Sequence, residues 1–391
     1  MKKKYIKSNT LMIMLLLSAI EIFAMQLLVP SMPKLQNYFL TSAYNVQLTL
    51  TVFMFGFAFS QILYGPLSDK YGRRPLILIS IIIFIIGSVM GFLAKSIEFL
   101  ILSRLIQSVG AAGGMVLPPA VIRDIYGESG STKAIGWLSI VAGLAALLAP
   151  YLGGLINDTY GWRAGMLILI IIGIIIFIIS LIFLPETLKY KEKTNFSIIS
   201  IIRDYSKLFY FRIFFIFFII LSSINGVFYA FFAGGVFVVV ENLNLSSADF
   251  GLIMVPLVTS FVISAYVSVR INKIFNPINI IFLGSIFSFF SAVMIYLSFL
   301  TGYLSIYSLT FFGLFLGWGN GQIIPLATSL VINLFPSRAG TVAASIGTGS
   351  MLAGAIVSFL FGFFYNGTPN SMSILMILTS LIALIFCILL S

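Results

Sequence analysis

The chain is expected to fold as an all-α polytopic membrane protein, with twelve transmembrane helices forming two pseudo-symmetric six-helix bundles. Three observations point there. Of 391 residues, 60% are hydrophobic and only 8% charged, with a mean hydropathy of +1.13, whereas a soluble domain carries about 25% charged residues. The apolar residues fall in long runs that suit bilayer helices of about 20 residues, and they lack the alternation of a membrane β-barrel. The second half of the chain also echoes the first.

The first run, 10–33, follows Lys2, Lys3, Lys4 and Lys7 and so mimics a signal peptide. It carries Glu21 and no small-residue cleavage pattern, and is expected to remain as helix 1. Helices 2 to 6 are expected at 43–65, 75–94, 97–122, 133–156 and 163–185. A polar stretch, 187–208, then separates a first lobe, 1–186, from a second, 209–391. Helices 7 to 12 are expected at 209–240, 247–269, 277–298, 302–330, 338–365 and 371–390. Tilt and kinks absorb the surplus length of the longer runs.

The duplication is read from matched positions. Leu40-Thr41-Ser42-Ala43 recurs as Leu245-Ser246-Ser247-Ala248, and Pro75 opens helix 3 as Pro277 opens helix 9. Gly110, Gly114 and Pro118 of helix 4 recur as Gly317, Gly321 and Pro325 of helix 10. Transporters built from such repeats hold substrate near the bilayer midplane.

Loop charges set an orientation. With the N-terminus inside, only Lys34, Lys95 and Arg163 of the 22 basic residues fall outside, and Arg104 lies within a span. That asymmetry places both termini on the cytoplasmic side. The net charge of +11 therefore belongs to short inside loops and signals no nucleic-acid partner. The single cysteine, Cys387, excludes an intramolecular disulfide, and with no histidine a transition-metal site is not expected. No phosphate-binding glycine loop and no nucleophile–base pair is present, which argues against ATP coupling and against an enzyme.

Two charges lie deep inside the apolar runs: Glu21 near the middle of helix 1 and Arg104 in the outer half of helix 4. A charge at the bilayer centre costs roughly 2.5–3.5 kcal/mol or more, so each marks a functional site. Their depths are similar enough for an arginine to reach the acid, and a substrate competing for Arg104 would then alter the proton occupancy of Glu21. No span of the second half holds such a charge; Asp249 lies at its rim.

The sharpest local signal is Gly65-Pro66-Leu67-Ser68-Asp69-Lys70-Tyr71-Gly72-Arg73-Arg74-Pro75-Leu76, between helices 2 and 3. Its glycines suit a tight turn, and Asp69 can accept from an arginine or cap a helix. This stretch resembles the signature of the major facilitator superfamily at every defining position. The resemblance implies two six-helix bundles around a central cavity and alternating access. Arg104-Leu105-Ile106-Gln107 with Gly110 resembles that family's helix-4 motif, and Ala149-Pro150-Tyr151-Leu152-Gly153-Gly154 resembles its helix-5 antiporter motif. Arg123-Asp124, Phe237-Val238 with Glu241, and Gly340-Thr341 through Ser345 resemble the Bcr/CflA-type bicyclomycin and chloramphenicol exporters.

The resemblance implies roles for matched positions. Gly65, Asp69, Gly72, Arg73 and Asp124 would form a conformational switch, a charge cluster at the cytoplasmic face. Pro150, Gly153 and Gly154 would form a kinked, small-faced patch for packing and gating. Glu21 and Arg104 are expected to couple protons on the separate ground that both are charges within the apolar runs. Gln26, Asn45, Gln47, Gln107, Asn225, Tyr229, Asn320 and Gln322 are candidates for contact with substrate. In one departure, the family's helix-1 acid lies four residues before a proline, and that position, before Pro30, is Gln26.

The expected activity is proton-coupled export of drug-like molecules from the inner membrane. The second reading is a proton-coupled transporter for one physiological solute (a siderophore, polyamine or amino acid), as antiporter or symporter. The expected partners are a small-molecule substrate, protons and the lipid bilayer, for a monomer with no cofactor beyond the proton gradient.

Overall fold

The computed structural model describes residues 2–188, 203 and 205–390. Most of the expected 187–208 linker lies outside those residues, as do the side chains of Lys2, Lys3, Lys4 and Lys7. The described regular structure is helical throughout. Helix 1 runs Lys2–Gln26 and breaks where Pro30 and Pro33 withhold two amide donors. It passes a 3-10 turn, Val29–Ser31, and resumes as Met32–Phe39. Helices 2 and 3 span Ala43–Tyr71 and Arg73–Phe92. Helices 4 and 5, Ile97–Gly127 and Gly130–Tyr160, meet at a kink where Gly127 takes φ 70°. Helix 6 is Trp162–Phe183.

Helix 7 spans Arg212–Phe237 and ends in a π-helical turn, Val238–Asn242. Helix 8, Ser247–Ile271, opens with a capping box between Ser246 and Asp249, which accounts for the rim acid structurally. Helices 9 to 12 are Pro277–Leu300, Ile306–Leu334, Ala339–Phe364 and Asn370–Ile388. Among the described residues 11 helices are long and apolar enough to cross a membrane. Helix 10 is the exception: its centre reads Gly317-Trp318-Gly319-Asn320-Gly321-Gln322.

Helix 1, expected unbroken over 10–33, is interrupted after Gln26 by its prolines, and two other helix ends overrun expectation for one shared reason. Helix 2 continues from 65 to Tyr71, and helix 4 from 122 to Gly127. The signature stretch is therefore mostly helical, and Gly72 alone makes the turn. Hydropathy marks where hydrocarbon ends, whereas Lys, Arg and Asp beyond it still extend a helix.

The chain divides into two compact units, one of Met1–Ser31 with Val52–Phe196 and one of Met32–Thr51 with Ser197–Ser391. In the first, helix 4 is the packing centre. A Cβ on Gly110 would strike the Ser80 carbonyl and the Phe84 amide of helix 3, and one on Gly114 the Leu17 carbonyl of helix 1. In the second, helix 10 takes that place. Gly319 sits against the Gly284 carbonyl and Ser288 amide of helix 9. By packing, the partner of Gly110 is thus Gly319, two positions beyond the Gly317 that the sequence match selects. Gly317 and Gly321 instead face the Leu257 and Phe261 carbonyls of helix 8.

Polar glue reinforces this packing. Ser260 and Ser264 of helix 8 donate to the Leu314 and Trp318 carbonyls at 2.8 and 2.6 Å. Ser268 donates to the Ala265 carbonyl at 2.8 Å and lies 3.4 Å from the Gly321 carbonyl, an acceptor that Pro325, four residues on, leaves without its helical donor. Ser285 and the buried Cys387 lie 3.1 Å apart between helices 9 and 12.

Candidate functional site

Two clusters in the first unit hold the charged residues singled out by sequence. One sits where helix 2 ends and helix 3 begins. Arg73, 9% exposed, is the first residue of helix 3. Its guanidinium pairs with Asp69 at 2.7 Å and with Asp124 of helix 4 at 3.1 Å, and also donates to Ser68. Thr187 donates to the same Asp124 oxygen at 3.2 Å. Asp69, Arg73 and Asp124 are therefore brought together as expected.

The helix-capping role considered for Asp69 goes to Glu186, which sequence reading missed. Its carboxylate accepts from the Arg73 and Arg74 amides at 3.0 and 3.3 Å, two of the orphan donors at the start of helix 3. The amides of Thr187 and Leu188 donate to it at 2.9 Å each. Leu184-Pro185-Glu186-Thr187, an acid just past a proline at the end of helix 6, was the available signal. Gly72 takes φ 111°, and a Cβ there would meet the Glu186 carboxylate, so glycine is required twice over. Gly65 lies inside helix 2 with open space where a Cβ would go, and nothing in the structure explains a glycine there.

The second cluster lies within the membrane spans. Arg104 is 1% exposed. The guanidinium donates to the Ala24 carbonyl at 2.7 Å and to Gln107 Oε1, and stacks 4.2 Å from the centre of the Phe53 ring. Gln107 in turn donates to Ser88 at 2.8 Å. Ala24 lies in the last turn of helix 1, where the proline-rich break ends the regular ladder. A cation there meets the negative end of the helix dipole. Arg104 Nε is buried with no hydrogen-bond partner.

Glu21 does not pair with Arg104. Among the described residues its carboxylate has neither ion pair nor hydrogen bond. It is three residues before Ala24, hence about 4.5 Å along the axis, and its Cβ approaches Gly114 of helix 4. The expected reach of Arg104 toward Glu21 is spent on helix-1 backbone instead. Gln26, last residue of helix 1, is 5% exposed, and its side-chain amide has no hydrogen-bond partner among the described residues.

The helix-5 patch is a close contact. Gly153 packs on the Leu27 carbonyl at the break in helix 1, where a Cβ would overlap, and Gly154 is buried beside it. Pro150 lies within the helix, one turn before.

The polar candidates divide. Gln47 is fully buried; it donates to the Ala233 carbonyl at 2.8 Å and accepts from Ser358 at 3.0 Å, both within the second unit. Gln107 is likewise engaged at both ends, and Asn45 bonds locally to Thr41 at 2.9 Å at the start of helix 2. The amides of these three are occupied in this structure. Asn320 accepts from Ser288 at 3.2 Å. Asn225 donates to the Leu221 carbonyl and to Ser350 at 2.9 and 3.1 Å, and the Tyr229 hydroxyl lies 3.8 Å from Met351 sulfur. Gln322 Oε1 is buried without a partner. Outside these sets, Glu241 accepts from Tyr365 at 2.7 Å, and Asn242 donates to the Gly367 carbonyl at 2.8 Å. Burial and the neighbouring Glu241 push the Tyr365 phenol above its usual range.

The model for the Major Facilitator Superfamily matches residues 14–358. The chain belongs to that superfamily. It is a multi-pass membrane transporter and not an enzyme. It is 24% identical to Multidrug resistance protein D of Escherichia coli over 96% of this chain and 93% of the relative. Identity to the Bicyclomycin resistance protein homolog of Haemophilus influenzae is also 24%, over 88% of this chain and 86% of the relative. A solved bacterial homolog of the human lysosomal transporter Spinster superposes with a TM-score of 0.78, at 16% identity over 98% of this chain and 96% of that one. That structure shares the superfamily fold.

Proposed function

We propose that this transporter is a proton-coupled exporter of drug-like small molecules of the chloramphenicol and bicyclomycin class, working by alternating access, with Glu21 as the proton carrier. The observation that carries this reading is the unpartnered Glu21 carboxyl near the middle of the first apolar span, Ser8–Phe39, and one turn from the Ala24 carbonyl that holds an arginine whose charge is already met by neutral groups. An acid held in a permanent ion pair has little freedom to exchange a proton. Glu21 has that freedom, and Gly114 keeps the facing wall thin. Arg104 holds the broken end of helix 1 and keeps a spare Nε donor for an acceptor on the substrate. Gln26 and the free Gln322 oxygen supply further polar contacts. The Arg73 cluster and its Glu186 cap form a charge-assisted lock that biases one conformation. Relatives named for multidrug and bicyclomycin resistance support the substrate class. The loop charges support an inner-membrane protein with both termini cytoplasmic.

The test uses energised inverted vesicles, acidic inside, with a pH-sensitive dye and a compound panel beginning with chloramphenicol. Compound-induced proton efflux is expected in wild type and lost in Glu21→Gln. Efflux that persists in the mutant removes Glu21 as carrier. Silence across the panel in tight vesicles points to a narrower physiological solute.

A further inference from the structure

Helix 4 carries two adjacent prolines inside its span, Pro118 and Pro119. A proline has no amide hydrogen, so each leaves the carbonyl four residues earlier without its helical donor. The carbonyls concerned are those of Gly114 and Met115. Their surroundings differ. Gly114 and Pro118 are buried, whereas Met115 is 40% exposed and Pro119 half-buried. At the corresponding break in helix 10, the Ser268 hydroxyl stands 3.4 Å from the Gly321 carbonyl. Among the described residues no side chain does this for Gly114.

Glu21 is the neighbour of that carbonyl. A Cβ on Gly114 would lie 3.4 Å from Glu21 Cβ, and the carboxyl carbon is one methylene further out. Gly114 meets Leu17 and Glu21, while Arg104, earlier in helix 4, meets Ala24, so helices 1 and 4 run antiparallel. A side chain leans toward the N-terminus of its own helix, which carries the Glu21 carboxyl toward Leu17 and along helix 4 toward Pro118. The carbonyls of helix 4 point the same way. An ionised carboxylate only accepts hydrogen bonds, whereas a protonated one has a hydrogen to donate. The Gly114 oxygen can therefore be met by Glu21 in one protonation state and not in the other.

We infer that Pro118 is a positioning residue for proton coupling: by withholding its amide it leaves the Gly114 carbonyl as the acceptor for the Glu21 proton. Protonation then ties helix 1 to helix 4, and loss of the proton releases it. The inference rests on Glu21 as the proton carrier. Other charges near helix 1 are engaged or distant. On helix 4, Arg104 is held by the Ala24 carbonyl and Gln107, Asp124 by Arg73, and Glu98, Arg123 and Tyr126 lie toward the helix ends. On helix 6, Arg163 donates to the Phe92 and Ala94 carbonyls. Helix 5 runs beside helix 1 in the same direction, with Gly153 at Leu27 and with Asn157 and Ser31 lining one small cavity. Tyr151 is then about 6 Å further along the axis than Glu21, and Lys133, Asp158 and Tyr160 are further still.

Infrared difference spectroscopy tests this on the full chain in phosphatidylcholine nanodiscs, over a pH series. The Glu21 carboxyl band is assigned by its loss in Glu21→Gln. A protonated carboxyl that loses an acceptor for its O–H absorbs at higher wavenumber. Pro118→Ala returns an N–H to the Gly114 carbonyl and suits a helix better than proline, so the variant should fold and its Glu21 band should move to higher wavenumber. Pro119→Ala returns an N–H to Met115 instead and should leave the band in place. An unmoved band in Pro118→Ala would overturn the proposal. So would an equal shift in Pro119→Ala, which would mark a general straightening of helix 4. The absence of any Glu21 band at the acid end would remove the carrier and its acceptor together. Proton efflux lost in Glu21→Gln beside an unmoved band in Pro118→Ala would leave the carrier standing and sink only the Gly114 contact.

Discussion

Arg73 and Arg104 are both nearly buried, yet their charges are met in opposite ways. Arg73, at the polar end of the helices, has two carboxylates, Asp69 and Asp124, within ion-pair distance. Arg104, inside the spans, has none among the described residues; it is solvated by a helix-end carbonyl, an amide oxygen and a ring face. The difference follows from desolvation. Near water a carboxylate is cheap to bring to an arginine. In hydrocarbon a second fixed charge is expensive, and dipoles already built into the fold do the same work. The acid that sequence reading assigned to Arg104 is thereby left free for another task.

Replacing each arginine by methionine tests that contrast most strongly. Arg104→Met should abolish substrate-driven proton movement while shifting unfolding free energy by roughly 1 kcal/mol or less, because a costly buried charge leaves with its partners' bonds. Uphill transport by this variant would remove the guanidinium from the mechanism. Arg73→Met should do the reverse in stability, leaving two carboxylates facing each other. Its loss should be roughly 1–3 kcal/mol, below that of a fully buried pair because the Asp69 side chain is 41% exposed. A thermal melt of the purified protein separates the two; equal losses would mean that the arginines are held alike.

Smaller effects sharpen the picture. Glu186→Ala removes the cap of helix 3 and should cost about 1 kcal/mol, with transport reduced several-fold and Glu186→Gln recovering part of it. Unchanged melting and transport would show the cap to be incidental. Phe53→Leu keeps an apolar side chain but loses some buried volume and the ring face over Arg104. It should cost roughly 0.5–2 kcal/mol and raise the substrate concentration for half-maximal transport with little change in maximal rate. If Phe53→Leu matched wild type on both counts, the carbonyl and amide would suffice to hold the cation.

The helices were legible in the sequence because hydropathy and proline are local signals, whereas the grouping of Asp124 with Asp69 and Arg73, across 51 residues, was legible only through the family resemblance. The sequence made Glu21 and Arg104 legible as residues but not as a geometry. Whether an arginine turns to an acid or to a backbone carbonyl depends on where helix 1 breaks, and on Gly114 and Gly153 admitting helix 1 so closely. Gln47 and Gln107 looked like cavity residues because a polar side chain in an apolar run is conspicuous; the partners that occupy them, Ala233, Ser358 and Ser88, are far away in the chain. Glu186 escaped notice because its acceptors' partners are backbone amides, which carry no residue identity.

Cys387 carries the one sulfhydryl of the chain. Cys387 is 1% exposed and tucked against Ser285. A water-soluble maleimide should therefore find nothing to modify in the native protein. The natural chain already serves as a silent background for site-directed labelling. A single cysteine placed at an exposed position such as Tyr307 would report alone, and a spectroscopist could follow the transport cycle without first rebuilding the interior.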